Sequence, residues 1–143
     1  MRYLPCMVVL SLFTAGCGSG DPYTYAPVSG RVTLNSKPLP DATVSFQPVA
    51  AGTSTPGTGS AAITDADGRF TLEVVGKKIK GAVVGMHKVR IDLPHEPETD
   101  PTDDRPKKIK HLPAKYSGKD TKLEFDVPVG GSDAANFDLK TSP

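Results

Sequence analysis

The chain has 143 residues, of which 6% are aromatic with no Trp, and Gly and Pro contribute 14 each. That length accommodates one domain plus extensions, and so much Gly and Pro disfavours long helices and suits short strands joined by turns. With 17 Lys and Arg against 16 Asp and Glu the net charge is +1, which argues against a general nucleic-acid or polyanion binder.

The N-terminus, "MRYLPCMVVLSLFTAGCGSG", places Arg2 ahead of an apolar run from Leu4 to Phe13. The small residues Ala15 and Gly16 then precede Cys17. This run is too short to span a bilayer as a helix, and its layout is that of a cleavable export signal. The ending "TAGC" resembles the lipobox of bacterial lipoproteins, although Thr14 stands where Leu is commonest. The resemblance implies a signal over residues 1–16 and a Cys17 that is acylated as the new N-terminus. An ordinary secretory signal with a chance cysteine is the alternative. Two or three acyl chains would anchor the protein stably, since each buried methylene adds about 0.8 kcal/mol. Cys6 leaves with the signal and Cys17 carries the lipid, so no disulfide is expected. Removing residues 1–16 also removes Arg2, which leaves 16 basic and 16 acidic residues and a neutral surface. Residues 17–27, continuing through "GSGDPYTYAP", read as a flexible tether, with Tyr23 and Tyr25 as tether residues.

From Val28 onward apolar residues recur with period two, the signature of half-buried strands. Seven segments follow this pattern. "VSGRVTL" turns Val28, Gly30, Val32 and Leu34 inward, and "ATVSFQ" does so with Ala42, Val44 and Phe46 before Pro48 stops the ladder. "SAAIT" reads as an edge strand with Ala61 and Ile63 inward. "RFTLEV" buries Phe70, Leu72 and Val74, and "HKVRIDL" buries Val89, Ile91 and Leu93. "KLEFDV" offers Leu123, Phe125 and Val127, and "AANFDL" offers Ala135, Phe137 and Leu139. One wet face per strand argues for antiparallel pairing, and no segment has a helical period. An all-β domain over residues 28–143 is expected, either two packed sheets or a closed barrel. Burial of each Val, Leu, Ile or Phe contributes roughly 1.5–3 kcal/mol.

Between two of these segments, "TDADGRF" raises the possibility of a calcium loop. With Gly68 at position 6 of an EF-hand loop, Ile63 and Val74 fall on ligand positions, and counting from Asp65 puts Arg69 on another. Asp and Gly flanked by strand patterns instead predict a tight hairpin turn at Asp65–Gly68. The longest irregular piece, residues 94–113, holds five prolines, with acids in its first half and bases in its second. It reads as a solvated surface insertion, with a binding loop as the alternative. His95 and His111 bracket it and His87 sits at inward parity. Three scattered histidines lack metal-site spacing, so no metal is expected. Lys77, Lys78, Lys80 and Lys88 could form a modest cationic rim, but a solvated face is the preferred reading. Tyr116, near the start of a late strand, is a candidate to close a Greek-key corner through its hydroxyl.

Gly30 and Val32, Pro38-Leu39, Ala42-x-Val44, Thr64-Asp65 and Asp67-Gly68-x-Phe70 together resemble the carboxypeptidase regulatory-like domain. That family belongs to the transthyretin-like β-sandwiches, and the resemblance covers residues 28–139. It implies a seven-stranded antiparallel Greek-key β-sandwich, transthyretin-like or immunoglobulin-like. The length of the 94–113 loop departs from the family pattern. Such domains are accessory modules of secreted and surface proteins, many of them on bacterial lipoproteins.

A transthyretin-related hydrolase of hydroxyisourate is the enzyme alternative, but its His and Arg site and its Tyr-Arg-Gly-Ser terminus find no match here. No Gly-x-Ser-x-Gly, Ser-x-x-Lys or paired nucleophile and base occurs. The chain is therefore expected to have no catalytic residue and no cofactor. The expected function is that of an envelope lipoprotein, anchored at Cys17 to the cell membrane or outer membrane. It would display a binding module for a protein or polysaccharide, a protein being preferred because no Trp is available for sugar stacking. A structural or assembly component of the envelope is the alternative role.

Overall fold

The computed structural model describes residues 20–94 and 112–141. The segment expected to be an export signal, Cys17, His95, His111 and most of the 94–113 loop lie outside these residues. The described chain is all-β: β1 (Tyr25–Ala26), β2 (Ser29–Leu34), β3 (Lys37–Pro38), β4 (Thr43–Pro48), β5 (Ser60–Ile63), β6 (Arg69–Thr71), β7 (Glu73–Val74), β8 (Ala82–Val83), β9 (Gly85–Asp92), β10 (Leu123–Val127) and β11 (Phe137–Leu139). They form three sheets. The largest runs β10-β9-β4-β5-β7, the second runs β11-β2-β3 with β6 also paired to β2, and β1 pairs with β8. No helix of the described residues is long and apolar enough to cross a membrane.

Alternation explains the core. In β9, His87, Val89 and Ile91 are fully buried while Met86, Lys88 and Arg90 are exposed. Val44 and Phe46 of β4 are buried beside them, paired in register with Ile91 and Val89. Side chains of the two larger sheets meet across this core. Phe137 of β11 lies 6.1 Å from Phe46 and 6.4 Å from both Phe70 and Phe125, measured between ring centroids. Aromatic pairs at such separations add to what their burial alone contributes.

The structure departs from expectation at several points, each with a local reason. "RFTLEV" buries Phe70, Leu72 and Val74 as expected, but it is split between sheets: β6 pairs with β2, and β7 pairs with β5. Leu72 at the crossing donates its N–H to Val28 at 2.9 Å. Short strands appear where none was expected. Asn35 and Ser36 both have positive φ (50° and 67°), the geometry of a type I′ turn, which folds β3 back on β2. Pro48 ends the β4 ladder as expected, its pair with His87 being the last.

The parity of β5 is the reverse of that expected. Ile63 is 69% exposed, whereas Ser60 is buried and Ala62 packs on the core. Nor is β5 an edge strand, since β7 lies outside it. The expectation of wholly antiparallel pairing also fails, because β11 runs parallel to β2 in the register Phe137↔Val32 to Leu139↔Leu34. Finally, the stretch from Asp21 to Ala26, expected within the tether, lies against the domain. Ala26 is buried, the Thr24 carbonyl accepts from Val84 N–H at 2.8 Å, and the Tyr23 hydroxyl donates to the Thr55 carbonyl at 3.1 Å.

Candidate functional site

Asp65 serves the turn. Its Oδ1 accepts from the N–H groups of Asp67 and Arg69, each at 2.9 Å, and its carbonyl accepts from Gly68 N–H at 2.9 Å. Gly68 sits at φ 72°, where an added Cβ would lie 2.3 Å from the Val32 carbonyl oxygen. The turn is not a hairpin between the strands it joins, because β5 and β6 belong to different sheets. Next to it, buried Thr64 accepts from Ala42 N–H at 2.9 Å and donates to the Leu39 carbonyl at 2.6 Å, holding the 39–42 loop in place.

His87 is a core residue. Its Nδ1–H donates to the Gly85 carbonyl at 2.8 Å, its ring lies 5.6 Å from that of Phe46, and Nε2 has no partner among the described residues. Burial holds its pKa below the ordinary 6.5, only partly offset by the Gly85 carbonyl and by Asp126. Among the described residues no group of three or more His, Cys, Asp or Glu is placed to hold a metal.

The lysines weighed as a cationic rim are largely neutralised by ion pairs. Lys77 bonds Asp21 and lies 2.8 Å from the Tyr25 hydroxyl, Lys80 pairs with Glu73 at 2.7 Å, and Lys88 pairs with Glu124. Hydrogen bonds from Lys77, then Tyr25, hold the Asp21 carboxyl below its ordinary range, and Lys88 does the same for Glu124. Tyr116 lies in the loop seven residues ahead of β10 and not at the start of a strand, and it ties that loop to the exit of β11. It is 9% exposed, and its hydroxyl accepts from Lys140 N–H at 3.1 Å, across 24 residues of chain.

A feature not anticipated from sequence lies on the wet face of the second sheet. Val32 N–H donates to Gly68 and Leu72 N–H to Val28, so Gly30↔Phe70 is the hydrogen-bonded pair between them. Arg31↔Arg69 and Ser29↔Thr71 are consequently non-hydrogen-bonded pairs, whose Cα atoms approach to about 4.5 Å with side chains close together. Two exposed arginines thus stand directly opposite one another, an arrangement that destabilises a sheet when nothing offsets it.

Arg31 is fixed at its base: Nε donates to the Asp67 carbonyl at 2.9 Å and its N–H to Asn136 Oδ1 at 3.0 Å. The Arg69 guanidinium has no hydrogen-bond or ion-pair partner among the described residues. Segment 132–136 walls the other side. Ser29 N–H donates to the Ser132 carbonyl at 2.9 Å and Ala135 N–H to the Ser29 carbonyl at 3.1 Å. That flush approach requires Gly30, where a Cβ would lie 2.0 Å from the Ala135 carbonyl oxygen. The result is an open cleft of about 400 Å³, lined by the two arginines, Ser29, Thr71, Asn136 and Asp133, with Gly30 and Phe70 in its floor. Its chemistry is that of a cationic donor surface with hydroxyls and one carboxylate at its rim.

No family model, curated protein or solved structure matches the chain.

Proposed function

We propose that this is an envelope lipoprotein, anchored through a lipidated Cys17, whose β-domain is a non-catalytic binding module for another envelope component. The β-domain is, on this proposal, a carboxypeptidase regulatory-like Greek-key sandwich, with four short or split strands elaborating seven main ones. The observation that supports binding is the Arg31–Arg69 juxtaposition, in which the Arg69 guanidinium has no partner among the described residues. The anchor rests on "TAGC". Because Asp21 is held by Lys77 and Tyr25, only four Cα steps separate Cys17 from the docked chain. Four steps reach at most roughly 13–14 Å, so this reading has the domain standing close to the lipid surface instead of on a long leash.

Two measurements test the proposal. Intact mass of protein made with its own signal should start at residue 17 and carry acyl chains, and an unmodified secreted chain would refute the anchor. Affinity capture from solubilised envelopes should recover a partner that is lost on Arg69→Gln or on deletion of residues 95–111. Capture of the same partners by wild type and both variants would favour a structural role in envelope assembly instead.

A further inference from the structure

Arg31, Arg69, Ser29 and Thr71 all project from one face of the β2–β6 ladder, two guanidiniums beside two hydroxyls. We propose that this cleft binds a single carboxylate group of an acidic peptide segment, clamped between the guanidiniums of Arg31 and Arg69. The proposal names the ligand class for the binding module inferred above and rests on that reading for its biological role.

Four features converge on this ligand. The guanidinium is a planar fork of donors that matches a carboxylate bidentately; Arg69 offers its whole fork and Arg31, whose Nε is held by the Asp67 carbonyl, offers its two Nη groups. Charge selects the ligand's valence: two arginines and Asp133 leave the lining at +1, which balances a monoanion, whereas a phosphate group carries about −1.5 to −2 and would face Asp133 with excess charge. Ser29, Thr71 and Asn136 are neutral hydrogen-bonding groups at the rim, suited to the amides of a peptide on either side of the acid. The one aromatic in the lining, Phe70, is 4% exposed and turned to the core, so a sugar ring has no face on which to stack. The carboxylate would also relieve the repulsion between the arginines, so binding and stability are coupled.

The test uses the whole chain in zwitterionic detergent, followed by NMR of the arginine side-chain resonances and by peptide anisotropy. Probes are a capped pentapeptide with one central glutamate, its glutamine counterpart, an all-glycine pentapeptide with a free C-terminal carboxylate, digalacturonate and inorganic phosphate. The glutamate peptide should shift the Arg31 and Arg69 signals at millimolar concentration or below, weaken with salt, and raise the melting temperature, while the glutamine peptide should do none of these. The free-terminus peptide tells whether a terminal carboxylate serves as well as a side chain. Arg69→Gln should weaken binding by on the order of tenfold or more. It should also leave the fold intact, because the Arg69 bonds to the turn are all main-chain. Arg69→Lys should keep part of the affinity, retaining charge without the fork.

No response to the glutamate peptide, equal binding by Arg69→Gln, or equal binding of digalacturonate or phosphate would overturn the proposal. Loss of envelope capture with peptide binding intact would bear on the envelope role alone and leave this site standing.

Discussion

Replacing Tyr116 by Phe removes a single oxygen atom from a buried ring. The ring is 9% exposed within the core cluster, and Phe retains its burial. The main-chain bonds of Tyr116 also survive, its N–H to the Pro113 carbonyl and its carbonyl to Ile91 N–H, both at 2.9 Å. What is lost is the acceptor for Lys140 N–H, just beyond the three-residue strand β11. A net intramolecular hydrogen bond contributes about 0.5–1.5 kcal/mol, and burying an unpaired N–H costs about 1–3 kcal/mol. Lys140 is exposed, so water can satisfy its amide and the smaller range applies.

The expected loss for Tyr116→Phe is therefore about 1 kcal/mol, which for a domain of this size lowers the melting temperature by about 3–6 °C. Tyr116→Ala, which also empties the ring site, should cost about 3–5 kcal/mol, a large share of the stability of any small domain. Thermal unfolding followed by far-UV circular dichroism measures both. Hydrogen exchange at the amides of Asp138 to Lys140 should quicken in Tyr116→Phe, because the exit of β11 loses its tie. A Tyr116→Phe melting temperature within a degree of wild type would refute the stabilising tie between Tyr116 and the exit of β11. So would a change in acidic-peptide affinity, since Tyr116 is not among the residues lining the cleft.

Three further outcomes follow from the same structure. Burial depresses the His87 pKa, so the unfolded chain binds a proton there at higher pH than the folded one. Its contribution to stability is then flat above the ordinary 6.5 and is lost as pH falls below it; urea midpoints should drop between neutral pH and pH of about 5.5 in wild type and drop less in His87→Leu, and an equal drop in both would refute this. Gly30→Ala drives a Cβ against the Ala135 backbone and should cost about 1–3 kcal/mol, so an unchanged denaturation midpoint would mean that segment 132–136 does not press on β2. Ile63→Thr should be neutral within about 0.5 kcal/mol, while Ala62→Asp should destabilise strongly; the opposite ranking would restore the expected parity of β5.

The long strands were legible because each keeps one apolar face over several alternations, and Val32, Val44, Phe46, Phe70, Leu72, Val89 and Ile91 all lie where that pattern puts them. "SAAIT" misleads because its only large apolar residue faces outward. Pairing of Thr43↔Ile63 and Val44↔Ala62 fixes Ala62 on the side of Val44, and Thr64 turns inward because its hydroxyl is satisfied by Ala42 and Leu39. A polar residue with two internal partners carries no mark of burial in the linear chain. Strands such as β1, β3 and β8 are two residues long, too short for any periodicity to register. Tyr25–Ala26 belongs to the sheet because Val83 and Ala82 meet it, a contact that Gly and Pro composition around it does not announce.

Alternation also reports which face of a strand is dry but not the direction of its neighbour. Phe137 and Leu139 would point to the core in either orientation, which is why the parallel pairing of β11 with β2 was not foreseen. The cleft depends on that pairing, because segment 132–136 reaches one edge of β2 on its way into β11 while β6 occupies the other edge. Arg31 and Arg69 each look, in sequence, like an ordinary outward residue of its own strand, and their adjacency exists only once β6 has left β7's sheet for β2's. At an outward position almost any polar side chain satisfies the fold, and an acid at either site would have made a favourable cross-strand pair. Two like charges are the choice that folding alone disfavours, and a bound carboxylate is what turns that disfavoured pair into an attractive one.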